Sequence, residues 1–147
     1  MNLIETLKET KIQTLTYFNL DDESLNKTYG PGKWNVKQIL HHLADTETVL
    51  YDRLRRVISE PKQVIWGFNQ DLWCKELDYN NLPLDLSKNN YSAVRESVIY
   101  LVQKYYDVKG HKSFIHSETG LKTLKEEMEK IAWHNQHHLK HINQALS

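Results

Sequence analysis

A single cysteine, Cys74, leaves this 147-residue chain without an internal disulfide. A disulfide-stapled scaffold is thereby excluded, and a reducing compartment is the expected setting. An excess of one charge is also lacking: 19 basic and 19 acidic side chains give a formal net charge of zero. No net field draws in nucleic acid or an anionic membrane, so neither is an expected partner. No apolar run approaches the roughly 18 residues needed to span a bilayer. The opening MNLIETLKETKIQTLTYF lacks the basic start, apolar run and small-residue cleavage site of a signal peptide, so a cytoplasmic location is expected. Catalytic signatures are sparse: there is no GxSxG, no phosphate-cradling glycine loop and no CxxC. Cys74 sits alone among aromatics and reads as a small apolar residue rather than a catalytic thiol.

What is present is amphipathic. Apolar residues make up 39% and charged residues 26% of the chain, a balance that suits one domain over residues 1–147 with helices half turned to water. Helical periodicity recurs in four segments. The first runs from about Asn2 to Leu20 on Leu3, Leu7, Leu15 and Phe18. The second follows Gly30-Pro31-Gly32 and Trp34, with Asn35 as N-cap and Gln38 completing a capping box. Its stripe of Val36, Leu40, Leu43, Leu50, Leu54 and Val57 ends at Pro61. The third spans about Ser87 to Val108, and the last about Leu121 to Leu146. Between the second and third lies a long aromatic connection, 61–86, with Trp66, Phe68 and Trp73 and a short helical turn expected near Gln70 to Leu77. Connections of that length are uncommon and often functional. No strand-type alternation, internal repeat or low-complexity tract is evident. The fold class is all-α, a four-helix bundle.

Six of the eight histidines fall in two clusters, His41-His42 and His134, His137, His138, His141. Residues four apart on a helix lie about 40° apart in projection, so His134 and His138 share a face. Glu127 lies along the same edge of the apolar stripe, and His137 faces elsewhere. An i, i+4 histidine pair is a common chelating unit for a divalent ion. The third donor must come from another helix, and periodicity does not choose between His41 and His42. Asp45, at spacing three from His42, is placed to act behind a ligand or as one. His137 and His141 read as surface residues, and His111 and His116 as turn and surface residues beside Gly110 and Gly120.

The segment GPGKWNVKQILHHLADTE resembles the signature of the DinB/YfiT-like superfamily. WGFNQDLW resembles the aromatic connection of its YfiT branch, and FIHSETGLKTLKEEMEKIAWHNQHHLKHI that branch's last connection and helix. The likeness covers most of the chain in order. It implies an up-down-down-up four-helix bundle holding one divalent metal, zinc or nickel, through three histidines. The histidine directly before Leu-Ala-Asp corresponds to His42, and the other two to His134 and His138; His41 and His137 are then non-ligating neighbours.

Three imidazoles leave coordination positions open, as in catalytic sites. A water or a thiol there loses its proton near neutral pH. Members of the superfamily are described as S-transferases or isomerases dependent on a low-molecular-weight thiol, and YfiT-like proteins are often labelled hydrolases. The first expectation is therefore transfer of a low-molecular-weight thiol to a small-molecule electrophile in detoxification or stress response. Metal-dependent hydrolysis is the second, with Asp45 or Glu127 as acid or base. A non-catalytic metal-binding or small-molecule-binding protein is the third. Trp66, Phe68 and Trp73 are candidates for the pocket lining. Arg53, on the His42 side of its helix, is a candidate partner for an acidic group of the substrate, although a solvent-facing arginine is the plainer expectation. The family resemblance also suggests a homodimer.

Overall fold

Every helix start in this protein except the one at Leu84, after Pro83, is written in a side chain that caps it. In a computed structural model describing residues 2–147, Asn2, Asn35, Asn69 and Thr123 each accept a backbone N–H of the following turn. Met1 of the expected 1–147 domain lies outside the described residues. At Asn35 the capping box is complete: its side chain accepts from Gln38 N–H, and Gln38 Oε1 accepts from Asn35 N–H, both at 2.8 Å. The elements in order are α1 (Leu3–Tyr17), α2 (Asp22–Leu25), α3 (Val36–Ser59), β1 (Val64–Ile65), α4 (Gln70–Glu76), α5 (Leu84–Lys109), β2 (Ser113–His116), β3 (Gly120–Thr123) and α6 (Leu124–Leu146). Among the described residues no helix is long and apolar enough to cross a membrane.

Helices α1, α3, α5 and α6 form the bundle, and two apolar clusters fix their directions. One joins Phe18 at the end of α1, Val36 and Leu40 at the start of α3, Tyr91 near the start of α5, and Ile142 at the end of α6. The other joins Leu7, Leu54 and Val57, Val98 and Val102, and Leu124 and Met128. Helices α1 and α6 therefore run one way and α3 and α5 the other, which is the up-down-down-up order. Because α3 and α5 are parallel, the connection 60–83 must travel back along the bundle.

Between the two apolar halves lies a polar waist. Arg95 of α5 has no exposed surface. It donates to both carboxylate oxygens of Glu47 on α3, from Nε at 2.6 Å and Nη2 at 2.8 Å. It also donates to Leu7 O and Thr10 Oγ1 on α1 and to Asn135 Oδ1 on α6, at 2.9, 2.8 and 2.7 Å. Tyr91 O–H donates to the same Asn135 oxygen, and Asn135 Nδ2 donates to Thr14 Oγ1. One cation thus ties all four bundle helices together, with the buried polar groups satisfied as burial requires.

Three boundaries differ from the sequence expectation. Helix α5 begins at Leu84 after Pro83, not at Ser87, whose hydroxyl instead meets His41 Nδ1 at 2.6 Å. Helix α1 stops at Tyr17 rather than Leu20. Helix α6 starts at Leu124 because residues 120–123 pair with β2 as an antiparallel hairpin, with Gly120 at φ +84°. Strand β1 adds to β2 in parallel, giving a small sheet ordered β1-β2-β3 that the sequence reading lacked. The start of the long connection is therefore anchored. Lys62, Ile115 and Ser117 N–H bonds run between it and the hairpin, and Gly67 N–H donates to Ser117 Oγ at 2.9 Å.

Candidate metal centre

His42 projects from α3 toward α6, where it meets His134 and His138. The three side chains each offer a ring nitrogen, and these nitrogens lie within 4.8 Å of one another. His42 Nε2 and His134 Nε2 are 3.0 Å apart. The ring centroids of the three pairs are 4.5 to 4.9 Å apart. The register comes from the polar waist: Glu47 follows His42 by little more than a turn, and Asn135 adjoins His134.

The surroundings keep these rings neutral. Burial pushes His42, His134 and His138 down to about 3, and each is held down further by the neighbouring imidazoles. Neutral imidazole is the form that ligates a metal. Trp34 covers the cluster, its ring 4.9 Å from His42 and 6.5 Å from His138. His138 Nδ1 is buried without a hydrogen-bond partner. Two nitrogens facing each other at 3.0 Å, a third close by and an orphaned buried ring atom fit a shared divalent cation better than a packed core of imidazoles.

His41 goes the other way. It is fully buried against α5, with Ser87 as partner and Tyr79 at 5.3 Å, and burial lowers it to about 4. Both histidines are buried because α3 is flanked by α5 on one side and α6 on the other.

Two cavities open onto the triad and share Gln70, Trp133 and His134. One, of about 220 Å³, lies between α3, α6 and the hairpin, with His42, Arg53, Phe68, His116 and Lys130 in its wall. The other, of about 460 Å³, lies toward the end of α6 and includes Tyr29, Lys33, His137, His138 and His141.

The remaining expected site residues are placed unequally. Phe68 reaches the smaller cavity, 6.4 Å from the His42 ring, with Trp73 behind it at 4.8 Å. Trp66 is 77% exposed and borders a separate depression. Arg53 is buried, not solvent-facing: Nη2 donates to Trp66 O at 3.2 Å, and Nη1 lies 3.5 Å from Glu127 Oε1. Glu127 also pairs with Lys130. Asp45 accepts the Tyr79 hydroxyl, and burial raises its carboxyl. Neither Asp45 nor Glu127 forms part of either cavity wall.

Sequence reasoning passed over several residues that line the site. Trp34 and Trp133 were visible in the Gly/Trp entry and the Trp-His run, yet only a fold places them over the histidines. His137 and His141, read as surface residues, line the larger cavity, and His141 stacks on Tyr29 at 4.2 Å. His116, read as a turn residue, is buried, because β2 turns Phe114 and His116 inward.

Comparison with known proteins gives a consistent picture. The sequence model of the DinB superfamily matches residues 6–142. A protein of Oceanobacillus iheyensis, provisionally named a metal-dependent hydrolase, is 33% identical over 152 residues, covering 98% of this chain and 87% of that one. A protein of Halalkalibacterium halodurans with the same provisional name is 29% identical over 141 residues, covering 96% and 81%. The solved structure of YfiT from Bacillus subtilis, described as "a probable metal-dependent hydrolase with an unusual four-helix bundle topology", superposes with a TM-score of 0.87 at 25% identity. The match covers 97% of this chain and 83% of that one.

Proposed function

The chain belongs to the DinB superfamily, and from that premise we propose that it is a divalent-metal-dependent enzyme that transfers a low-molecular-weight thiol to a small-molecule electrophile. His42, His134 and His138 are the proposed ligands. The supporting observation is that two separate cavities meet at His134, one beside His42 and one beside His138. A transfer brings two organic reactants to one point, whereas hydrolysis needs one and water. A bound zinc or nickel ion would supply Lewis acidity that lowers the pKa of a thiol or water at its open positions.

The protein's own groups do the rest. The three imidazoles enter the reaction neutral, so no proton must leave them before they ligate. Trp34 packs against two of the rings and forms part of the wall of the larger cavity. The larger cavity, with Lys33 and the His137–His141 edge, suits a polar thiol cosubstrate. The smaller one, with Phe68 and Trp133, suits a compact electrophile. Glu127 holds Arg53 and Lys130 in that wall rather than acting on substrate itself.

Hydrolysis is the second reading, favoured by the provisional names of the relatives. Metal analysis of the purified protein, followed by conjugation of glutathione, cysteine or bacillithiol to chlorodinitrobenzene, separates the two. Transfer predicts about one equivalent of metal and metal-dependent conjugation, both lost in His42→Ala, His134→Ala and His138→Ala and the metal retained in His137→Ala. Ester or amide turnover with no thiol conjugation would replace transfer by hydrolysis. Full metal content in His134→Ala would remove the site itself.

A further inference from the structure

His116 lies far in sequence from the histidine clusters, yet its side chain shares the smaller cavity with His42 and His134. The β2–β3 turn fixes its tautomer. Nδ1 accepts backbone N–H bonds from Glu118 at 3.1 Å and Thr119 at 3.3 Å. An imidazole nitrogen that accepts two N–H bonds carries no proton, so in the neutral ring the hydrogen sits on Nε2. Burial, with Arg53 and Lys130 nearby, lowers the pKa of His116 and keeps the ring neutral at pH 7. Nε2 has no protein partner, and it is not among the buried polar atoms sealed from solvent. The residue is 94% covered, since only 6% of its surface is exposed, and the space it lines is this cavity. A fixed N–H donor without an acceptor therefore stands in a wall whose other faces include Phe68 and Trp133.

We infer that the smaller cavity binds a flat electrophile activated by a carbonyl group, an α,β-unsaturated ketone, and that His116 Nε2–H donates to its carbonyl oxygen. The inference rests on the thiol-transfer reading and names the electrophile class for it. The cavity, at about 220 Å³, falls below the roughly 300–1,000 Å³ of common ligand pockets, which admits only a compact molecule. The chemistry balances without a further reactant. The thiol loses its proton, sulfur bonds to the β-carbon, and the C=C pair shifts toward the carbonyl oxygen, where the His116 N–H meets the developing charge. A proton then returns to the α-carbon. His116 donates a hydrogen bond throughout and changes no protonation state, as an oxyanion donor does.

The test uses zinc-loaded protein, benzylideneacetone as ketone and cysteine as thiol. Long-range 1H–15N spectra of the His116 ring should show the proton on Nε2, and the Nε2 resonance should move on titration with benzylideneacetone alone. A proton on Nδ1, or no movement at saturating ketone, overturns the inference. In turnover, His116→Leu should lower kcat for benzylideneacetone by about 10²-fold, the loss typical of one oxyanion donor. Conjugation of benzyl chloride, which has no oxygen acceptor, should fall far less than that of the ketone, and His116→Gln should recover part of the ketone rate. Equal loss on both electrophiles would make His116 merely structural and sink the inference. A ketone-dependent shift without conjugation by any thiol would keep the contact and reject thiol transfer instead.

Discussion

Replacing Arg95 by leucine tests the claim that one buried cation sets the register of the bundle and, through it, the histidine site. Arg95 is wholly buried and makes five hydrogen bonds, two to Glu47 and one each to Leu7 O, Thr10 and Asn135. Without it, the Glu47 carboxylate, only 4% exposed, keeps its desolvation cost and loses its partner. Breaking a buried pair from one side costs about 3–5 kcal/mol. Stranded acceptors on Thr10 and Asn135 add to this only in part, because Thr14 and Tyr91 still bond Asn135. A loss of about 4 kcal/mol is expected, a large part of a typical stability of roughly 5–15 kcal/mol. For a chain of this size that lowers Tm on the order of 10 °C. Urea unfolding followed by far-UV circular dichroism measures it directly. The double variant Glu47→Leu/Arg95→Leu removes both charges, so it should cost clearly less than the sum of the two single changes. A single-variant loss under about 1 kcal/mol, or strict additivity in the cycle, would refute the role assigned to the waist.

Metal should stabilise the folded chain by linkage, about 2.7 kcal/mol when free ion is at 100 times Kd, and a chelator should reverse the gain in a thermal melt. Without metal, stability should fall in acid. Burial depresses His41 to about 4 and His42, His134 and His138 to about 3, below the ordinary 6.5. Below pH 6.5 the unfolded chain takes up protons that the native chain refuses. The stability is therefore complete above that pH and is lost progressively as pH drops toward 4, by up to about 1.4 kcal/mol per pH unit for each histidine. A urea midpoint that stays flat between pH 7.5 and 5.5 would contradict this. Asn35→Ala should cost about 1 kcal/mol by deleting the cap that starts the His42 helix, with metal stoichiometry preserved in the folded fraction.

What the sequence reveals about this site divides along the line between local and non-local causes. The Asn35–Gln38 box and the His134–His138 spacing are properties of one helix, and both are legible in a few residues. The choice between His41 and His42 is not, because it depends on which neighbour lies on each flank of α3. Each flank is covered, so both rings are buried, and only contact with α6 rather than α5 brings His42 to the pair. The hairpin escaped notice for a related reason. Strands of two and four residues are too short to show alternation, and β1 finds its partner some fifty residues away. That pairing turns His116 inward and draws Phe68 toward His42. Glu47, Arg95 and Asn135 each fill a polar gap in the apolar stripe of their own helix, and they can be buried there only because each satisfies the others. The two histidine motifs therefore specify the donors, while the distance between them depends on how α3 packs on α6, which the buried Glu47–Arg95–Asn135 network ties together.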